Sequence, residues 1–171
     1  MSERRSLLSA LRAGGVIFDG AMGTALYERG LLYTRSLDAA VLDRAPAVEE
    51  IYEGYVLAGA DVLTTNTFGA NRYRLEPHGL ADEVEEINHV AVDLVRKVAR
   101  EGQFVAGSVG PTGLVLKTVP EEELDRIRLA FRDQAAALSE RGVDAIILET
   151  FRQPRELELA LEGAKAGSRG A

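Results

Sequence analysis

Cysteine is absent from this chain of 171 residues. Disulfides are therefore excluded, and so is a thiolate metal site built from this chain alone. No apolar run approaches the roughly 20 residues that a membrane helix needs. Runs of Lys and Arg are also missing, and the formal net charge is -7. An acidic surface repels nucleic acid and anionic membranes, so neither is expected as a partner. The start, Met1 to Leu8, carries two arginines but lacks a long apolar stretch. It reads as the beginning of a helix rather than a signal peptide, and a cytoplasmic location is expected. The two histidines, His78 and His89, lie in a turn and on a helix and make no metal pair.

What remains is ordinary for one globular domain, with 46% hydrophobic and 27% charged residues. Its order is not ordinary. Four apolar, strand-like runs each end in small polar residues. Val16-Ile17-Phe18 leads into Asp19-Gly20-Ala21-Met22-Gly23-Thr24. Asp61-Val62-Leu63 leads into Thr64-Thr65-Asn66-Thr67-Phe68-Gly69-Ala70-Asn71. Phe104-Val105-Ala106 leads into Gly107-Ser108-Val109-Gly110-Pro111-Thr112-Gly113. Ala145-Ile146-Ile147-Leu148 leads into Glu149-Thr150-Phe151. Buried parallel strands with function at their carboxyl ends read this way.

Helical periodicity fills the spaces between the runs. Helices are expected over 6–13, 46–58, 82–100, 120–140 and 154–166, the third being the clearest amphipathic pattern. Thr118-Val119-Pro120-Glu121 reads as a capping box with proline in the first turn. Gly14, Gly59, Gly102 and Gly142 each stand where a helix gives way to a strand, and Gly167 reads as a fifth such exit. Gly59-Ala60-Asp61-Val62 and Gly142-Val143-Asp144-Ala145 are nearly one phrase used twice. Strand starts recur about every 40 residues, as expected of βα units with crossover helices. The expected fold class is α/β, with four βα units followed by a polar tail at 168–171. A complete eight-unit barrel takes about 250 residues, so the chain has the length of a half.

The polar clusters carry the candidate site. Asp19-Gly20 alone reads as a turn, but its place after a buried strand is where α/β proteins put their sites. Gly20 and Gly23 give backbone room for a small ligand. Thr65 and Asn66 belong to a run of hydrogen-bonding side chains that serves either a ligand or the loop itself. The loop 107–113 lacks both the lysine of a P-loop and GxGxxG spacing, so it reads as a tight turn rather than a phosphate cradle. Glu149 ends the most apolar strand, where a carboxylate needs a partner or water. Arg152 or Arg155 would be its structural partner and a cationic ligand group its functional one. Asp19 and Glu149 on one rim suit an ammonium group, or acid–base work.

These four clusters, in this order and spacing, resemble the zinc-dependent homocysteine S-methyltransferases over about residues 7 to 166. That family includes the homocysteine-binding module of cobalamin-dependent methionine synthase, betaine–homocysteine methyltransferase and enzymes fused to a methylenetetrahydrofolate reductase. The resemblance implies a TIM barrel and methyl transfer to the thiol of homocysteine, with zinc favouring the thiolate. It places Asp19, Gly20, Thr65 and Glu149 around the amino-acid end of homocysteine. Glu149 and Asp19 would hold the ammonium, and Thr65 and Ser108 would offer hydroxyls to the carboxylate. The family's zinc ligands are cysteines in the second half of the barrel, so none is expected here. The expectation is therefore the first half of such a barrel, inactive alone, with zinc in the full-length parent and homocysteine as the small-molecule partner. Two alternatives stand beside it. One is a half barrel that self-associates or takes a complementary half through open strand edges. The other is a metal-free α/β enzyme using Asp19 and Glu149 as acid and base.

Overall fold

The computed structural model describes residues 6–31 and 36–168. Most of the expected polar tail, 169–171, and the first five residues lie outside that set. The chain begins with α1 (Leu7–Ala13), α2 (Met22–Glu28), α3 (Ala40–Asp43) and α4 (Ala45–Leu57), followed by β1 (Val62–Thr64) and the short α5 (Arg72–Leu75). Then come α6 (Val84–Val98), β2 (Phe104–Val109), α7 (Glu121–Glu140), β3 (Ala145–Leu148) and α8 (Pro154–Gly167). The fold is mixed α/β, and β1, β2 and β3 form one parallel sheet in that order.

The first expected strand is corrected. Val16-Ile17-Phe18 contributes a single parallel bridge, Phe18 to Val62, and no strand of its own. The cause is local. The Ile17 N–H donates to the Asp61 carboxylate at 2.8 Å, and the Ile17 carbonyl accepts from both Asp61 and Val62. The segment then keeps one bridge, Phe18 to Val62, before it leaves the sheet toward α2. Asp144 repeats the device one unit later. Its backbone N–H donates to the Val105 carbonyl, while its carboxylate takes the Val105 N–H at 2.7 Å. The twice-used phrase of the sequence is thus an aspartate that staples each new strand to the one before it.

Alternation along the strands separates two cores. Leu63, Val105 and Val109 face the helices and join the large cluster that holds Ile87, Val95, Ile127, Phe131 and Leu138. Val62, Phe104 and Ala106 face the other way, where α1 covers them with Leu7 and Ala10. The same alternation points Thr64, Ser108 and Glu149 to the second face at the carboxyl ends.

Helix α8 lies against α7 with backbone almost touching backbone. A Cβ on Gly163 would stand 2.5 Å from the Arg128 carbonyl, and one on Gly167 would overlap the Arg132 carbonyl. Gly167 is therefore a packing residue inside α8 rather than a helix exit, and Ser168 caps the helix. The expected capping box also fails. Pro120 is the N-cap of α7 and offers no side-chain bond, while the Thr118 hydroxyl donates back to Val115. Proline at that position displaces Thr118 from capping reach. Among the described residues no helix is long and apolar enough to cross a membrane.

Candidate functional site

The strand ends open into a cleft of about 790 Å³, lined in part by Asp19, Gly20, Thr64, Thr65, Asn66, Ser108 and Glu149. All six candidate residues of the sequence, Asp19, Gly20, Thr65, Asn66, Ser108 and Glu149, therefore meet in one place. Their hydrogen bonds divide them into groups that face the cleft and groups that build its wall.

Asp19 sits where the bridged segment leaves the sheet. One carboxylate oxygen accepts the Thr64 N–H and the other the Thr64 hydroxyl, both at 2.8 Å. Burial raises its pKa to about 6 against the opposing pull of these bonds, and the charge of Glu149 adds to the rise. The two carboxylates are thus electrostatically coupled across the cleft. Glu149 accepts the Ser108 hydroxyl at 2.6 Å. That bond replaces the expected arginine partner, since Arg155 pairs with Glu158 on the exposed face of α8. The next residue, Thr150, has φ 62 and is the one non-glycine residue in the left-handed region among the described residues. A β-branched side chain strains that conformation. The backbone pays this cost immediately beside Glu149.

Thr65 and Asn66 are wall residues. The Thr65 hydroxyl is 2.6 Å from that of Thr67, whose own proton goes to the Ser108 carbonyl at 2.7 Å. Thr65 must therefore donate to Thr67, and it also accepts the Ser108 N–H at 3.1 Å. Its single proton is spent, and Ser108 has spent its own on Glu149. The expected hydroxyl donors for a ligand carboxylate are both committed within the protein. The Asn66 amide donates to the Leu37 carbonyl at 2.7 Å.

Gly20 lines the cleft and also serves packing. A Cβ there would meet the Tyr55 hydroxyl at 2.8 Å. The room at Gly20 is filled by Tyr55, whose hydroxyl donates to the Ala21 carbonyl. Gly110 and Gly107 serve packing in the same way, one against the Phe68 ring and the other against Leu138. The loop after β2 has few backbone donors to spare. Gly110 N–H goes to Phe68, Thr112 N–H to the buried Glu156, and Leu116 N–H to Gln153. This agrees with a tight structural loop and not a phosphate cradle.

Asp38 was not foreseen. It lines the cleft, takes the Gly69 N–H at 2.8 Å and has its pKa raised, chiefly by burial. No helix-cap signal marks it, since Ala39 is the N-cap of α3 and makes no side-chain cap bond. His78 also lines the cleft, from the turn that follows α5. His89 lies elsewhere, between α6 and α7, hydrogen-bonded to Glu140. Glu85, His89 and Glu140 bring three ligand-type atoms within 4.8 Å of one another. Glu85 approaches Nδ1 of the ring and Glu140 approaches Nε2, so the carboxylates address opposite nitrogens.

Comparison with known proteins now decides the family. Residues 16–169 match the family described as Homocysteine S-methyltransferase. The chain belongs to that family. Methionine synthase of Mycobacterium tuberculosis (strain ATCC 25618 / H37Rv) is 33% identical over 171 residues, covering 93% of this chain and 14% of that protein. Betaine–homocysteine S-methyltransferase 1 of Danio rerio is 33% identical, covering 97% of this chain and 42% of that one. Among solved structures, the metallated form of the homocysteine methyltransferase MmuM from Escherichia coli superposes with a TM-score of 0.77 at 27% identity. It matches 93% of this chain over 62% of its own length. The chain thus spans well under half of these two curated relatives and less than two thirds of the structural one.

Proposed function

We propose that this chain is the first, four-unit half of a homocysteine methyltransferase barrel and holds the amino-acid end of homocysteine. The observation that carries the reading is the meeting of Asp19 and Glu149 in one cleft, each preset by hydrogen bonds from the sheet. A substrate ammonium placed between them replaces their mutual repulsion with two attractive pairs. Asp19 and Glu149 bind and orient the amino acid, Ser108 and Thr64 fix the carboxylates, and Thr65 and Asn66 keep the wall rigid. Methyl transfer to the thiol would be completed by chain beyond the matched portion, in a cytoplasmic setting.

Zinc does not fit this chain. The soft thiolates that favour zinc beside a substrate sulfur are absent, since no cysteine exists here. The cleft offers one imidazole, His78, beside carboxylates already engaged by Thr64, Gly69 and Ser108. No step is therefore routed through a metal, and the chain alone is expected to bind without turning over. Purified chain should bind L-homocysteine by calorimetry yet produce no methionine with zinc and donor added. Turnover above a no-protein control would overturn the inactivity. Turnover without metal, abolished by Glu149→Gln, would favour acid–base catalysis by Asp19 and Glu149.

A second reading is favoured by the sheet edges. All four residues of β3 are only partly buried, and Ile17 is 65% exposed beside the bridged segment. Parallel edges of this kind accept further strands. A complementary half or a second copy would cover them, and light scattering of the purified chain distinguishes a monomer from the self-associated state.

A further inference from the structure

We propose that Arg74 is the anion-recognising residue of the cleft, taking a carboxylate from one of the two substrates and selecting ligands that carry one. The proposal rests on the reading of the cleft as an amino-acid site. It begins from a shortage. An amino acid brings a carboxylate as well as an ammonium, and a cleft lined by Asp19, Asp38 and Glu149 repels it. The side-chain hydroxyls that would have received it are spent: Thr64 donates to Asp19, Thr65 to Thr67, and Ser108 to Glu149.

Arg74 is the one Lys or Arg lining the cleft among the described residues. Its guanidinium has no ion-pair partner among them, whereas Arg29, Arg96 and Arg155 are all paired. Five N–H donors in a planar fork are therefore unspent, and that fork matches a carboxylate.

Its position is built rather than incidental. The Arg74 backbone N–H is capped by the buried Asn71 side chain at 3.2 Å. The side chain starts beside Gly69, after β1, and reaches the loop after β2, where Nη1 stands 3.1 Å from the place a Cβ on Gly113 would occupy. Gly113, at φ 84, leaves that space open. The guanidinium thus spans two strand-end loops at the cleft mouth. Its charge is felt by Asp38, lowering a pKa that burial otherwise raises.

The carboxylate has two sources, the amino-acid acceptor or a methyl donor such as a betaine. The full 171-residue chain would be titrated calorimetrically with L-homocysteine and its methyl ester, and with glycine betaine and choline, which lacks the carboxylate. Wild-type protein is expected to prefer a carboxylate ligand over its masked counterpart by roughly tenfold, the size of a charge-assisted hydrogen bond. Arg74→Gln should erase that preference, and Arg74→Lys should retain part of it. Loss confined to the homocysteine pair assigns Arg74 to the acceptor, and loss confined to the betaine pair assigns it to the donor. A preference unchanged in Arg74→Gln overturns the proposal alone. Wild-type protein that binds none of the four removes the amino-acid reading and this role together.

Discussion

The Ser108 hydroxyl donates to the Glu149 carboxylate at 2.6 Å, joining the neighbouring ends of β2 and β3 on the wall of the cleft. A hydroxyl has one proton, so Ser108 orients Glu149 and has none left for a ligand. Ser108→Ala should therefore leave Glu149 in place but loosely held. A homocysteine affinity about 3- to 10-fold weaker is expected by calorimetry, the cost of one hydrogen bond to a charged group. Glu149→Gln should weaken binding by more than tenfold, because the cation's partner is lost as well as its position. Equal effects of the two substitutions would show that Glu149 does not meet the ammonium.

Asp19 sets the pH dependence. Its pKa is raised to about 6 from an ordinary 3.8, burial being the main cause. The folded protein therefore holds this proton more tightly than the unfolded chain. Its contribution to stability is largest below about pH 4, declines as pH rises to about 6 and is flat above. Binding of an ammonium runs the other way, since it needs the ionised form. Affinity for homocysteine should rise as pH passes 6 and level off above it, with the step abolished in Asp19→Asn. Side-chain carboxyl NMR shifts read the titration directly.

Thr150 stores strain beside Glu149. Glycine tolerates φ 62 without a Cβ penalty. Thr150→Gly should stabilise the fold by about 0.5–1 kcal/mol in urea unfolding, the relieved strain outweighing the entropy that glycine adds to the unfolded chain. It should also weaken ligand binding, because the turn that aims Glu149 becomes mobile. A gain in stability with unchanged affinity would separate the strain from the site.

Helix α8 has no room for a side chain at Gly163 or Gly167, where it meets α7. Gly163→Ala would place a methyl 2.5 Å from the Arg128 carbonyl. The helices must part, and a loss of about 1–3 kcal/mol is expected from overpacking. An exposed helical glycine replaced by alanine would gain stability instead, so the sign alone identifies the contact.

The amphipathic pattern of Val84–Val98 and the apolar stretches around β1, β2 and β3 were legible because periodicity is a local property. Asp61 and Asp144 were visible as a repeated phrase, but their task was not. A strand-start aspartate has several uses, and only the neighbouring strand shows which N–H it receives. Gly167 misled for the same reason, and the packing of Gly20 against Tyr55 was equally hidden. Glycine announces that a side chain would not fit, without saying whether a ligand, a tyrosine ring or another helix stands in the way.

By itself the sequence determined the alternation of helix and strand, the grouping of polar residues at strand ends, and the exclusion of thiolate chemistry through the missing cysteines. These follow from residue type and order. Tertiary structure alone decided which hydroxyls remain available. Thr65 and Ser108 look like ligand donors along the chain, yet each has one proton, and partners 2 and 41 residues away have already taken it. It also decided that Arg74, from a short helix with no distinguishing pattern, reaches the mouth of a cleft built by other strands. Hydrogen-bond saturation and charge balance depend on which residues meet in space, and those meetings are fixed only when the sheet closes its strand ends together.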